Sequence, residues 1–306
     1  MDKRVNEIMN VQIDYREKLN LDENVTMGLE IEYKKIWDKI IKLKINKNGL
    51  DKWKNVYDES VAFKIYGQYF GGEINSPILK DNENTWIELK KICQILRDSK
   101  CEINSRCGGH IHIGNNILDN NYDNYIKLYK LWYMYEPIIY RFSYGEYQTG
   151  RSAIVKYARS MRPFFEPILK GDKNFKDVNQ LANYFEIRVT RYYGINFSNI
   201  RNDKKTIEFR CPNSSLNHII WQNNANFFGN FLNCIKDTEI DEEYLNYKLQ
   251  NNNYNINDYY NINIEDAIKL SNIVFKDEID KLYFLRQYIK DGKNNNQFVK
   301  SKKFTK

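Results

Sequence analysis

The stretch Arg106–Gly114 reads RCGGHIHIG and holds two of the three histidines in the chain. Alternate residues of a β-strand point to the same face of a sheet, so His110 and His112 are expected to project together while the isoleucines that follow them face a core. Gly108 and Gly109 let the backbone turn or let another group approach closely. This pair of histidines indicates a site. The alternative is one histidine hydrogen-bonded in the core and the other exposed to solvent.

A second strand pattern lies nearer the N-terminus, in Val25–Lys34, VTMGLEIEYK. Its apolar residues alternate with Gly28, Glu30 and Glu32, which is the period of a strand with one buried face. Two carboxylates side by side repel each other, and a bound cation is the natural compensation for their charge. The alternative is a half-exposed strand whose acidic face is solvated.

Two later segments repeat this design. The segment 70–79, FGGEINSPIL, predicts a strand that presents Glu73 on its polar face and ends at a proline. In the segment 206–211, TIEFRC, the isoleucine and the phenylalanine face one way, and Glu208 and Arg210 face the other. An arginine next to a carboxylate is a donor suited to a phosphate or to another carboxylate.

Together, the four polar strand faces predict one site. In an antiparallel sheet whose other face packs on helices, they can line a single concave surface. We therefore expect an α+β fold with a curved, mostly antiparallel sheet of about five to seven strands and with helices on its convex side. Three or four carboxylates with one or two imidazoles form a site for two hard divalent cations. Oxygen-rich ligation suits Mg²⁺ or Mn²⁺ better than Zn²⁺.

The rest of the chain divides by its composition and its helical periodicity. We expect a polar N-terminal arm (1–23), a catalytic core (24–236), and an irregular Asn-rich segment with C-terminal helices packed on the core (237–306). Within the core, helices are expected at 83–99, at 122–142 with an interruption at Pro137, at 177–185, and after Ser214 as N-cap. A turn at Asp58–Ser60 separates two expected short strands.

Composition narrows the class of protein. A chain of 306 residues with 24 Tyr and 16 Phe can build a sizeable core. The net charge of +7 suits anionic ligands such as nucleotides, or is a solvated surface, and no compact basic patch interleaved with aromatics indicates nucleic acid. Five scattered cysteines argue against a disulfide framework and a structural zinc site. Without an apolar signal or a membrane-length run, we expect a cytoplasmic protein with no membrane partner.

The motifs also resemble a known family. GLEIEY (28–33), the D-x-S of Asp58 and Ser60, GGEINSP (71–77), CGGHIHIG (107–114) and TIEFR (206–210) occur in the order and rough spacing of the amidoligase family. That family belongs to the superfamily of glutamine synthetase and glutamate–cysteine ligase, which are carboxylate–amine ligases. The resemblance covers roughly residues 25–235 and implies a glutamine synthetase-like catalytic domain.

The resemblance implies roles for individual residues. The implied metal ligands are Glu30, Glu32, Glu73, His110 and Glu208. The implied nucleotide contacts are His112 and Arg210 on phosphate, with Arg141, Arg159, Arg162, Arg191 and Asn196 as looser candidates. Arg210 is also a catalytic candidate. Asp58 is our candidate for the base that accepts a proton from the amine, with Glu73 as second choice, although an aspartate in such a turn more often only shapes the turn.

The implied reaction joins a carboxylate, on a small molecule or a peptide, to an amine at the expense of ATP. The γ-phosphoryl group passes to the carboxylate, and the amine then displaces phosphate from the acyl phosphate. Metals and arginines stabilise the charge that moves in such a transfer. A metal-dependent hydrolase and an inactive interaction protein of the same fold are the alternatives. The sequence does not identify the two substrates or the oligomeric state.

Overall fold

The computed structural model describes residues 3–147, 154–189, 191–252 and 261–290. The strands are, in chain order, β1 (Met27–Trp37), β2 (Lys54–Val56), β3 (Phe63–Ile65), β4 (Gln68–Asn75), β5 (Gly109–Gly114), β6 (Ile195–Asn196) and β7 (Thr206–Phe209). The helices are α1 (Lys3–Met9), α2 (Asp38–Lys47), α3 (Glu83–Asp98), α4 (Tyr122–Ser143), α5 (Ile154–Tyr157), α6 (Arg162–Leu169), α7 (Val178–Arg188), α8 (His218–Asn233), α9 (Glu242–Gln250), α10 (Ile264–Val274) and α11 (Glu278–Ile289).

The described strands form one sheet. Its order is β2-β4-β1-β5-β7-β6, and β3 pairs with β4. Each of these strand pairs is antiparallel. The structure thus confirms the prediction of an α+β fold with a curved, mostly antiparallel sheet. Two short strands, β2 and β3, lie on either side of the expected turn at Asp58, and each pairs with β4.

Helices α4 and α8 cover the apolar face of the sheet. The ring of Phe209 in β7 stacks on Phe228 of α8, with 4.3 Å between ring centroids, and on Trp132 of α4, with 5.9 Å. Ile31 and Ile111, from the neighbouring strands β1 and β5, are fully buried in the same core. Each such side chain contributes about 1.5–3 kcal/mol by leaving water. The opposite face of these strands carries the polar residues of the predicted site.

The expected interruption of α4 at Pro137 is wrong, because the helix continues to Ser143. A proline has no N–H to donate, so it leaves the carbonyl four residues earlier without its helical partner. That carbonyl belongs to Tyr133, and the buried guanidinium of Arg162 donates a hydrogen bond to it at 3.2 Å. Arg162 therefore replaces the hydrogen bond that Pro137 removes and lets the helix run through.

The N-terminal segment is packed on the molecule and is not a free arm. Val5 of α1 and Leu19 are buried in the main core. The carboxylate of Asp81 accepts hydrogen bonds from the backbone N–H groups of Leu19 and Leu21 at 2.9–3.1 Å. Apolar residues spaced through a polar stretch, without a clear period, did not reveal this packing in the sequence.

Two expectations about the C-terminal half need correction. Asn217, not Ser214, caps α8, because its side chain accepts the N–H of Ile219 at 3.0 Å. The Asn-rich segment 237–262 contains a regular helix, α9, whose N-cap Asp241 accepts the N–H of Tyr244. Residues 253–260 of that segment lie outside the described ranges.

No helix in the described part of the chain has both the length and the apolar character needed to cross a membrane.

Gly109 has no room for a side chain. A Cβ there would lie 2.7 Å from the Asn213 carbonyl oxygen and 2.7 Å from the ring of Trp221. Gly109→Ala is therefore expected to destabilise the fold by about 1–3 kcal/mol, measured by urea unfolding. Gly28→Ala is the matched control, because its Cβ would meet only the side chain of His112, at ordinary contact distances of 3.4 and 3.9 Å. Equal unfolding midpoints for the two variants would contradict the close packing at Gly109.

Candidate active site

The register of the strands brings the predicted residues to one polar face of the sheet. Glu30 of β1 lies opposite His110 of β5. Glu32 lies opposite Glu73 of β4, and His112 lies opposite Glu208 of β7. Asn196 of β6 pairs with Glu208 from the other side. The period-two pattern of the sequence therefore gave the correct face for the glutamates and histidines, whereas Asn196 was a candidate only from the family resemblance.

Glu30 lies at the centre of this face and joins both histidines. Its Oε2 is 2.9 Å from Nδ1 of His110, and its Oε1 is 2.9 Å from Nε2 of His112. The other ring nitrogen of His112 is 3.2 Å from the hydroxyl of Thr206. Both imidazoles are buried and are held in fixed orientations, which is the state of a preorganised site.

The two neighbouring carboxylates are also oriented by donors. Oε2 of Glu208 accepts a hydrogen bond from the Asn196 amide at 2.7 Å, and its Oε1 pairs with the Arg210 guanidinium. Oε2 of Glu32 accepts the backbone N–H of Gly108 at 2.6 Å. The backbone of Gly108 in RCGGHIHIG thus contributes a direct contact to the site.

Three overlapping groups of side chains could each hold a metal ion. Within each group, one ligand atom per residue lies within 4.8 Å of the others. The groups are Glu30–His112–Glu208, Glu30–Glu73–His110 and Glu32–Asp58–Glu73. Shared carboxylates and a donor set rich in oxygen fit hard divalent cations such as Mg²⁺ or Mn²⁺.

Burial and neighbouring charges perturb the carboxylates in opposite directions. Burial opposes the charge of Glu30, but hydrogen bonds from His110 and His112 outweigh it and lower its pKa. Burial likewise opposes the charge of Glu208, but Arg210 and the two histidines lower its pKa. Both carboxylates therefore remain ionised and able to bind a cation at neutral pH.

At Glu73 a hydrogen bond with Asn75 lowers the pKa, but stronger effects of the opposite sign outweigh it. Burial, followed by the negative charges of Glu30, Glu32 and Asp58, raises the pKa of Glu73 to about 9. Without a metal, this carboxyl group is protonated at neutral pH. A divalent cation would relieve the repulsion that causes the shift, and this is a second observation that fits a metal site.

The raised pKa of Glu73 predicts a pH dependence of stability in the metal-free protein. Between about pH 4.5 and pH 9 the folded protein keeps a proton that the unfolded chain releases, so the free energy of unfolding should fall as the pH rises through this window. Glu73→Gln removes the titrating carboxyl group and, with it, this fall in the free energy of unfolding. In urea unfolding with EDTA, we expect the variant to gain at least about 1 kcal/mol relative to the wild type between pH 5 and pH 8.5. Parallel pH profiles would contradict the prediction.

Two cavities border the polar face. The larger, about 580 Å³, contains Glu32, Glu73, His110 and Arg210, with Asp58 on its wall. The smaller, about 390 Å³, contains Glu30 and His112, and its other walls include Met27, Leu29, Pro77, Ile78, Lys204 and Thr206. The carboxylate and imidazole cluster lies between them, so two ligands could approach it from two sides.

The four arginines proposed as looser nucleotide contacts separate in the structure. Arg191 lines the larger cavity. Arg159 lies over the ring of Tyr193 and lines neither cavity. Two others are structural, which corrects their expected role: Arg162 supports α4 as described above, and buried Arg141 donates a hydrogen bond to the carbonyl of Ile289 at 3.0 Å. Arginine clusters in sequence do not reveal which guanidinium groups are used inside the fold.

Asp58 combines the two roles weighed for it. Its Oδ1 accepts the N–H of Ser60 at 2.7 Å, which is the turn-forming contact. It also lines the larger cavity and belongs to the group with Glu32 and Glu73. Its role as a base stays a prediction, but its position is compatible with one.

Some site residues were not singled out from the sequence. Thr206 lies two residues before Glu208, so the same alternation that selected Glu208 could have placed it on the polar face. Lys204 and two tyrosines of the larger cavity, Tyr57 and Tyr192, by contrast, lie on connecting segments and follow no period. The third tyrosine, Tyr157, ends the short helix α5. Arg106 belongs to the quoted histidine stretch, but nothing in its spacing distinguishes it from a surface arginine.

Comparison with known proteins agrees with this geometry. A family model described as "Putative amidoligase enzyme" matches residues 15–232, which is more than half of the chain and includes every strand of the sheet. A search of curated proteins found no match to the sequence.

Proposed function

Since the chain belongs to the amidoligase family, we propose that it is an ATP-dependent carboxylate–amine ligase that forms an amide bond through an acyl phosphate. The observation that carries this proposal is the shared polar face, on which four glutamates and two histidines of β1, β4, β5 and β7 meet beside Arg210. Such a face suits a triphosphate held by two divalent cations better than it suits a single activated water.

The residues divide between the metals and the moving phosphoryl group. Glu30, Glu32, Glu73, His110 and Glu208 would hold Mg²⁺ or Mn²⁺, which neutralise the triphosphate and polarise its γ-phosphoryl oxygens. Arg210 borders the larger cavity and stabilises the negative charge that the phosphoryl group carries during transfer. His112, fixed by Glu30 and Thr206, contacts phosphate from the side of the smaller cavity.

We assign the nucleoside of ATP to the smaller cavity. Its apolar walls, including Leu29, Pro77 and Ile78, suit a planar base, and Lys204 supplies a positive charge for the phosphates. The acceptor carboxylate and the amine then occupy the larger cavity, which holds Asp58, Glu73 and Arg210. This division places the γ-phosphoryl group at the cluster between the two cavities.

The reaction needs one base. An oxygen of the acceptor carboxylate attacks the γ-phosphorus, the bond from that phosphorus to the bridging oxygen breaks, and ADP leaves. The amine attacks the acyl carbon of the resulting acyl phosphate, phosphate leaves, and the amine proton passes to Asp58. Asp58 lies at the wall of the cavity and belongs to only one of the three ligand groups, whereas Glu73 belongs to two and is assigned to the metal.

The nucleotide product tests the proposal. The protein is incubated with ATP, Mg²⁺ and mixtures of amino acids and short peptides, and nucleotides and product masses are measured. We expect ADP and phosphate in equal amounts, together with a product whose mass equals the two substrates minus water. Release of AMP and pyrophosphate, or hydrolysis that needs the same residues but no ATP, would favour a different class of enzyme.

A further inference from the structure

The larger cavity extends well beyond the metal-binding cluster. Its floor is formed by Glu32, Glu73 and His110, and its outer rim is built from four separate segments of the chain. These are residues 57–60, Arg106, Tyr157 and residues 191–192. Apart from Tyr157, the last residue of α5, the rim lies on connecting segments outside the paired strands, which is where recognition of a specific ligand is commonly located.

Arg106 lies on the rim, and its side chain has no ion-pair partner among the described residues. It is exposed, and among the described residues its one hydrogen bond is from its backbone N–H to Asn104 Oδ1 at 3.0 Å. Burial, and next the charge of Arg106, lowers the pKa of the half-buried Lys34 amine, so a second cation lies close by. An exposed cation on the rim of the cavity, with a second cation nearby, favours a ligand with an anionic group at that place.

Arg191, on another segment of the rim, is partly compensated. Its guanidinium lies 5.6 Å from the centroid of the Tyr192 ring. Its pKa is raised first by the hydrogen bond and charge of Tyr192, and then by the charges of Asp58 and Glu59. Arg106 is therefore the stronger candidate for binding an anionic group of a ligand.

The size and the aromatic rim of the cavity exceed the needs of a free amino acid. A volume of about 580 Å³ falls in the range of sites that enclose ligands of several hundred daltons. Tyr57 is 55 % exposed, and the ring centroids of Tyr157 and Tyr192 lie 5.6 Å apart. Aromatic surfaces of this kind bind the extended backbone and side-chain carbons of a peptide.

We propose that the acceptor substrate is a short acidic peptide, whose reacting carboxylate lies at the metal-binding floor and whose second carboxylate binds Arg106. The identity of the reacting carboxylate rests on the proposed function, whereas the peptide size and the second carboxylate rest on the rim. A free amino acid would leave Arg106 and the tyrosines without a contact.

Equilibrium binding without ATP tests this proposal apart from the reaction. Isothermal titration calorimetry with Mg²⁺ compares the tripeptide Glu-Glu-Glu with free glutamate and with Gln-Gln-Gln. For the wild type we expect the acidic tripeptide to bind at least about tenfold more tightly than either of the others. Arg106→Gln should remove most of that preference, and Arg106→Lys should keep part of it. Arg188→Gln, an exposed arginine of α7 outside both cavities, is the charge-matched control.

Three results of the binding experiment would overturn the proposal. They are no binding of Glu-Glu-Glu at millimolar concentration, equal affinity for free glutamate, and an unchanged preference in an Arg106→Gln variant that melts like the wild type. An increase in KM for ATP alone in Arg106→Gln would also overturn it, because the arginine would then serve the nucleotide. ADP-forming amide synthesis with a free amino acid would overturn the peptide proposal and leave the ligase proposal intact. Tripeptide binding with no ATP cleavage would overturn the ligase proposal and leave the proposed peptide binding intact.

Discussion

Arg210→Ala is expected to lower the rate of the chemical step by about 10²–10³-fold, with a much smaller change in the binding of ATP. In the structure the guanidinium pairs with Glu208 and borders the larger cavity, beside the cluster that would hold the γ-phosphoryl group. A fixed positive charge at this place acts on charge that develops only in the transition state. Single-turnover measurement of ADP formation separates this step from binding and release.

The control for this variant is His218→Ala. His218 is the first residue of α8, its ring lies 5.6 Å from that of Tyr15, and it lines neither of the two cavities. We expect its rate to stay within a few-fold of the wild type. Equal rates in Arg210→Ala and the wild type, or an equal loss in the two variants, would contradict a role for Arg210 in phosphoryl transfer.

The second large effect concerns metal binding. Mn²⁺ at 100 times its dissociation constant should stabilise the folded protein by about 2.7 kcal/mol, because it binds the folded site and relieves carboxylate repulsion. Glu30→Gln with Glu208→Gln removes charge from two of the three ligand groups, including both carboxylates of one group. We expect this double variant to lose most of the Mn²⁺-dependent rise in melting temperature measured by calorimetry.

A matched control comes from a third cavity, which is acidic and lies beside the C-terminal ends of α8 and α10. Asp237→Asn with Asp277→Asn also removes two carboxylates, but from a cavity that contains none of the predicted ligands. The Mn²⁺ shift should persist in this variant. Loss of the shift here, and its persistence in Glu30→Gln with Glu208→Gln, would show that the ion binds elsewhere.

The sequence predicted the site better than it predicted its surroundings. Alternation places each side chain of a strand on a definite face, so Glu30, Glu73, His110 and Glu208 could be assigned to one surface before the strand order was known. The same rule could not give that order, since pairing depends on contacts between distant segments. It also could not say which residues lie opposite each other, as Glu30 and His110 do.

The predictions that failed did so for physical reasons that the spacing of residues in the sequence does not reveal. Arg141 and Arg162 are as polar in sequence as Arg191, but the fold uses them to bind backbone carbonyls, one of which Pro137 leaves without a donor. The packing of the N-terminal segment depends on Asp81, which lies 62 and 60 residues along the chain from the two residues whose N–H groups it accepts. These hydrogen bonds join groups that are distant in the sequence, so they depend on the tertiary structure.

The most direct test of the ligase proposal follows an oxygen atom. An acceptor peptide labelled with ¹⁸O in its carboxylates is incubated with the protein, ATP, Mg²⁺ and an amine, and the released phosphate is analysed by mass spectrometry. If the carboxylate attacks the γ-phosphorus, each amide bond formed must transfer one ¹⁸O atom to phosphate, and ADP must accumulate in the same amount. Unlabelled phosphate released together with the amide product would contradict the acyl-phosphate mechanism, and with it the central claim about this site.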